Sequence, residues 1–308
     1  MKSNIFKSNA FFYYLLPIIV VTIGACTPDK KDLALNALPK VDFEIAQGAD
    51  ANSIVLVNKT NAPSIPFWTV STGQKLSGDS AKLKLIFAGT YEVTLFAAAQ
   101  GGLDSITKTV TIAQSDPTAC DPANPIGFIA SCTQKTWKLN PDAGAYKVGE
   151  GADAGNWWSS GIGEVAGRAC EFNDEYTFSF NAEGTFVYDN KGDFFGDGYL
   201  GNGNGCQPNS NLPAAQQLWA SGTFKFTVID GAGVRGLGQL KLTGTGAHIG
   251  LQKVHNGGET TSGPVGNSIT YDILEMTQNA GGQGYDILKV GTNIGGAGWW
   301  TFSLRSQN

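Results

Sequence analysis

Charge is scarce in this 308-residue chain, at 15% of residues, and it does not lean basic: 21 Lys and Arg stand against 26 Asp and Glu. Nucleic-acid affinity comes mainly from Lys and Arg on phosphates. A net charge of −5 supplies no such surface, so nucleic acid is excluded as a partner and acidic polyanions are poor ligands. Histidine is scarcer still. His248 and His255 are the only two, and a zinc centre would need further ligands from elsewhere; a polar turn or a hydrogen bond is their expected use. No Gly-x-Ser-x-Gly elbow is present, which removes support for a hydrolase triad of that kind. Helical periodicity is also missing, and only Ala214 to Trp219 invites a short helix.

What is present begins at the N-terminus. Lys2 and Lys7 precede an apolar stretch from Phe11 to Ile23, which runs into Gly24-Ala25-Cys26. This resembles the secretory signal of bacterial lipoproteins, with residues 1–25 removed and Cys26 acylated. The apolar stretch is short for a membrane span of about 20 residues. Cutting there removes two lysines and no acid, so the mature chain is more acidic still. Residues 26–39 read as a lipidated flexible linker, and Asp29 and Asp32 resemble a surface-export tag. The expected location is the outer membrane, lipid-anchored and facing the cell exterior.

With Cys26 lipidated, Cys120, Cys132, Cys170 and Cys206 remain, an even number suited to an oxidising compartment. Three pairings are open; Cys120 with Cys132 and Cys170 with Cys206 is favoured. The gaps are longer than the C-x₂₋₄-C of a zinc site.

Val41 to Ile45, Ser53 to Asn58, Lys82 to Phe87, Tyr91 to Ala97 and Ser105 to Ile112 alternate or carry β-branched residues between turn-forming positions. Phe67-Trp68-Thr69-Val70-Ser71-Thr72-Gly73 and Gly89-Thr90-Tyr91-Glu92-Val93-Thr94-Leu95 resemble the polycystic-kidney-disease (PKD) domain. The resemblance implies an immunoglobulin-like sandwich over residues 40–114 that acts as a spacer, with Trp68 buried between its sheets. Residues 115–119 read as a linker. Residues 120–308 offer strands at Lys135 to Leu139, Glu175 to Phe180, Thr185 to Tyr188, Gly222 to Ile229, Gln239 to Thr243, Ser268 to Glu275, Tyr285 to Val290 and Trp299 to Leu304. The expected fold class is therefore all-β, an immunoglobulin-like sandwich followed by a larger β-sandwich or jelly roll.

Six of the seven tryptophans, Trp137, Trp157, Trp158, Trp219, Trp299 and Trp300, fall in the second domain, four of them as adjacent pairs. Neighbouring side chains on a strand point to opposite faces. One Trp of each pair is therefore expected to face out, and the apolar alternation of Trp300, Phe302 and Leu304 makes Trp299 the exposed partner. Exposed indoles stack on the C–H faces of sugars, while Asn, Gln and Arg bond the hydroxyls. Trp157, Trp158, Trp299 and Trp219, with Asn156 and Arg168, are accordingly the expected ligand-binding residues.

Trp137-Lys138-Leu139, Asn156-Trp157-Trp158-Ser159, Arg168 to Tyr176, Gly244 to Val254 and Trp299-Trp300-Thr301-Phe302 look like a module found in surface lipoproteins of Bacteroidota polysaccharide-utilisation systems. With the lipid anchor and the PKD-like spacer, the whole resembles a SusE/SusF-like surface glycan-binding protein. The resemblance implies a neutral polysaccharide ligand, a β-1,3-glucan such as laminarin, and a SusC/SusD-like importer as partner.

Two other classes compete, a jelly-roll glycoside hydrolase and a structural adhesin. Glycosidases place two carboxyl groups about 5 to 9.5 Å apart. Glu171, Asp174 and Glu175 are the only dense acidic cluster; on one strand Glu171 and Glu175 would stand about 13 Å apart and Asp174 would face away. No catalytic residue is expected. Asp174 or Glu175 is expected to order a loop, pair with Arg168 or bond a sugar. No cofactor is expected, although the Asp189 to Gly198 loop could hold a structural Ca²⁺; its third residue, Lys191, breaks the EF-hand order.

Overall fold

The computed structural model describes residues 37–197 and 204–306. The signal peptide and Cys26 lie outside the described residues.

The first domain is built from β1 (Phe43–Gln47), β2 (Ser53–Asn58), β3 (Ser64–Val70), β4 (Lys75–Ser77), β5 (Ser80–Lys84), β6 (Gly89–Ala99) and β7 (Gly102–Ile112). They form two antiparallel sheets, in the orders β1-β2-β5 and β4-β3-β6-β7. Alternation along β6 sends Tyr91, Val93, Leu95 and Ala97 into the space between them, against Phe43, Leu56 and Trp68. Trp68 is fully buried, donates its Nε1–H to the Gly78 carbonyl at 2.9 Å, and meets the Phe43 ring edge-on. At the start of β6 the Tyr91 hydroxyl donates to the Phe87 carbonyl at 2.8 Å. A central buried Trp and a tyrosine that ties down its own corner are the hallmarks of an immunoglobulin-like sandwich.

The segment after β7 is not a loose tether. Asp116 is buried, accepts hydrogen bonds from the Thr118 N–H and hydroxyl, and pairs with Lys84. Those contacts hold its carboxyl well below the ordinary range, at about 2. Helix α1 (Pro125–Ala130) follows, with proline at its first turn, where a missing N–H costs nothing.

The second domain contains β8 (Gln134–Leu139), β9 (Tyr146–Glu150), β10 (Trp158–Ser159), the helical turns α2 (Gly163–Gly167) and α3 (Ala169–Phe172), β11 (Glu175–Ser179), β12 (Thr185–Asp189), β13 (Asp193–Gly196) and β14 (Gly205–Pro208). After these come β15 (Gly222–Ile229), β16 (Gln239–Thr243), β17 (Val254–His255), β18 (Gly258–Glu259), β19 (Ser268–Thr277), β20 (Ile287–Asn293) and β21 (Gly298–Ser306). Ala214–Trp219 forms a 3-10 helix, where a short helix was expected.

The main sheet runs β10-β9-β21-β20-β19-β16-β15-β12-β11-β8, and β8 pairs again with β21. The sheet therefore closes on itself as an eight-stranded barrel whose members β8, β11, β12, β15, β16, β19, β20 and β21 are linked in chain order, each to the next. This up-and-down meander replaces the crossing connections that a jelly roll requires. The wall of β21 is shared. Leu304 faces Leu139 of β8, while Phe302 faces Tyr146 of β9, so β8 and β9 follow one line along β21, broken by residues 140–145.

Side chains fill the barrel, as expected at eight strands. Tyr176, Phe178, Phe186, Tyr271 and Phe302 form its centre, and Trp137 closes one end against Phe128, with its indole N–H on the Ile129 carbonyl. At the other end the 244–254 segment dips inward: the Ile249 and Gly250 N–H groups donate to the hydroxyls of Tyr271 and Tyr176. Only glycine fits at position 250, where φ is +71° and a Cβ would stand 2.2 Å from the Phe302 ring. The two disulfides are Cys120–Cys132 and Cys170–Cys206, the favoured pairing.

Candidate functional site

The separate pairing of β8 and of β9 with β21 leaves the barrel sealed at one end and split at the other. Near β8 the wall continues into β11; near β9 it continues into β10, the last strand of the order. A cavity of about 170 Å³ lies at this split end, lined by Tyr146, Trp158, Arg168, Asp197, Leu251, Lys253 and Trp300. Barrel mouths are a usual place for a small-ligand site.

Strand register sets its aromatic side. Trp158 of β10 faces Val148 of β9, which faces Trp300 of β21, so both indoles rise on one face. Their centroids are 6.2 Å apart and their planes cross at 65°. Trp300 is buried, stacks on Phe302, and gives its indole N–H to Glu259 of β18. Lys253 lies over the same ring at 5.4 Å and pairs with Glu259 at 3.4 Å.

Arg168, between α2 and α3, forms the polar side. Its Nε donates to Glu164 at 3.1 Å and its Nη1 to Glu171 at 2.9 Å, with the guanidinium 4.0 Å over the Phe195 ring. Glu171 is buried and also accepts the Tyr146 hydroxyl at 3.1 Å. Burial raises its carboxyl pKa against the pull of Arg168, and burial beside Glu171 pushes Tyr146 well above the ordinary phenol range. The Cys170–Cys206 disulfide ties this helical turn to β14. The arrangement offers an apolar corner and forked hydrogen-bonding groups, with each cation held by its own carboxylate.

The expected ligand residues divide. Trp157 and Trp158 are exposed, at 57% and 39%, so both members of this pair face out. They sit on a turn and a two-residue strand, where regular alternation does not hold. The six-membered ring of Trp157 lies against Gly298. Trp219 corrects the expectation. It is buried with Phe194 and Leu212, and its neighbours Gln216 and Gln217 bond the carbonyls of Thr261 and Leu212. Trp299 is only half-buried, not openly exposed, because the 151–156 turn folds across its face of β21. There the Asp153 N–H donates to Thr301, and Thr301 and Ser303 are buried. Asn156 has its Oδ1 on the Glu150 N–H and packed over Gly149, holding that turn.

The acidic cluster does not share one strand. Glu171 lies in a helical turn, and it is Glu171, not Asp174 or Glu175, that pairs with Arg168. Asp174 is buried on the Tyr188 hydroxyl, its pKa raised by burial. Glu175 points outward to Lys138 and Lys191, and Lys191 lowers its pKa. In the loop proposed for calcium, the Lys191 ammonium bonds both Asp189 and Glu175. Among the described residues no three His, Cys, Asp or Glu side chains cluster as a metal site. His248 is buried edge-on to Tyr188, with Nδ1 2.8 Å from the Gly246 carbonyl; burial lowers its pKa to about 4. His255 lies by the Asn256 carbonyl.

Sequence reasoning missed Tyr146, Asp197, Leu251, Lys253 and the pocket role of Trp300. Tyr146 stands on a strand, Tyr146–Glu150, whose pattern is too short and mixed to read. Lys253 carries no sequence signal, since only the fold brings it over an indole.

No protein-family model matches this chain, and no curated protein matches it. Among solved structures it is similar to the PKD1 domain of Vibrio anguillarum Epp, at 23% identity over 26% of this chain and 98% of that one, with a TM-score of 0.24. It is also similar to the PKD1 domain of the Vibrio cholerae metalloprotease PrtV, at 21% identity over 26% of this chain and 100% of that one, with a TM-score of 0.23.

Proposed function

We propose that this chain is a surface lipoprotein that binds a neutral polysaccharide at the split end of its barrel. Cys26 anchors it to the outer membrane, the PKD-like sandwich acts as spacer, and a SusC/SusD-like importer is its partner. The observation that carries the reading is the pairing of Trp158 and Trp300 with the fixed guanidinium of Arg168 around one cavity. Indoles take the C–H face of a sugar, and the Arg168 fork with nearby carboxylates suits its hydroxyls. The internal balance of Arg168 with Glu164 and Glu171, and of Lys253 with Glu259, favours a neutral ligand.

Affinity electrophoresis of the protein lacking residues 1–26, through gels containing laminarin, mixed-linkage glucan, mannan, xylan or alginate, tests it. Retardation by a neutral glycan, lost in Trp158→Ala, is the expected result. Retardation by alginate alone contradicts the charge argument, release of new reducing ends makes the protein a hydrolase, and no retardation in any gel leaves the adhesin reading.

A further inference from the structure

We infer that the cavity takes a single sugar unit at the end of a glycan chain, and does not grip the chain along its length. The inference rests on the glycan-binding reading and sharpens it. At about 170 Å³ the cavity holds roughly half the smallest volume usual for drug-sized ligands, about 300 Å³, which fits one six-membered ring and not two.

The orientation of the indoles points the same way. A site that binds the middle of a chain needs flat aromatic surfaces set along one open face, so that successive rings can stack and leave at both sides. Here Trp158 and Trp300 cross at 65° and form a corner. A ring stacked on the exposed Trp158 has its edge against the buried Trp300, and cannot continue in that direction.

Among the described residues, the remaining lining is made of fixed groups, with Asp197 beside them. Arg168 is held by two carboxylates and rests on Phe195, with its side chain only 16% exposed. Lys253 covers Trp300 and is tied to Glu259. Tyr146 and Leu251 are both buried, and Tyr146 is anchored on Glu171. Since Arg168 and Lys253 already have carboxylates and Asp197 adds a further acid to the lining, the site suits an uncharged terminal unit whose hydroxyls exchange hydrogen bonds with groups fixed before it arrives.

The test is titration calorimetry with laminari-, xylo- and manno-oligosaccharides of one to six units, together with hexasaccharides reduced at the reducing end or methylated on the non-reducing terminal ring. Within the series that binds, affinity should change by less than about threefold from two units to six, and one of the two end modifications should weaken binding at least tenfold. Affinity that climbs tenfold or more with length and ignores both modifications overturns the chain-end inference while the glycan-binding reading stands. No binding of any series to a protein with an unchanged melting temperature overturns both. Trp158→Ala, which changes an exposed ring, should weaken the binding series at least tenfold.

Discussion

The ring of Trp158 stands edge-on to that of Trp300 across Val148, with 6.2 Å between centroids. The two indoles share one corner and do different work, because Trp158 is 39% exposed and Trp300 only 6%. Removing the first deletes a ligand surface; removing the second deletes part of the core. Trp158→Ala is expected to weaken glycan binding at least tenfold and leave thermal unfolding within about 2 °C of the parent. Trp300→Ala is expected to cost about 3 to 5 kcal/mol of stability. Paired calorimetry and thermal denaturation check both; equal destabilisation by the two variants would contradict the division.

The Cys170–Cys206 disulfide closes a loop of 36 residues and fixes the turn that carries Arg168 and Glu171. A loop of that length is worth about 3 to 4 kcal/mol by its effect on the unfolded chain. Cys170→Ser with Cys206→Ser is therefore expected to lower the melting temperature and to weaken glycan binding, since Arg168 loses its fixed position. Arg168→Lys should weaken binding with a smaller loss of stability, because it keeps the charge and removes the fork. Full affinity in the double serine variant, measured well below its melting temperature, would show that the turn needs no clamp.

His248 makes stability depend on pH. Its folded pKa is about 4, below the ordinary 6.5, because the barrel buries it neutral. The unfolded chain takes up a proton near pH 6.5 that the folded chain refuses until about pH 4. The stabilisation is thus complete above pH 6.5 and is lost progressively as pH falls to about 4, by about 3 kcal/mol at most. His248→Asn retains a donor for the Gly246 carbonyl and should flatten the melting temperature between pH 6.5 and 4. The Lys84–Asp116 pair acts lower, since Asp116 titrates at about 2 and its contribution is lost only from about pH 4 downward. An unchanged pH profile in His248→Asn would mean that another group sets the acid limit.

Much of the fold was legible because a strand leaves a period-two mark: β2, β15 and β16 occur where alternation puts them. Pairing leaves no such mark, so the closing of the second domain through β8 and β21 could not be read from spacing. The three residues of β4 are too short to show a pattern. At the site, Trp157 and Trp158 announced themselves by type, whereas Trp219 misled because a 3-10 turn buries by its own geometry. Glu171 and Glu175 were separated by a helical turn that only four residues, Ala169–Phe172, define. Lys253 reaches Trp300 through the chain path of the 244–254 segment, information that is tertiary from the start.

The six-residue break between β8 and β9 divides labour within a single wall. Below it, Leu139 and Leu304 lock the barrel, and a change there threatens the fold itself. Above it, β9 and β10 carry Tyr146 and Trp158 on a flap of sheet that leans on β21 and owes nothing to β11. Tyr146 ties the flap into the core, whereas the exposed Trp158 at its edge can change without touching the lower seam that closes the barrel.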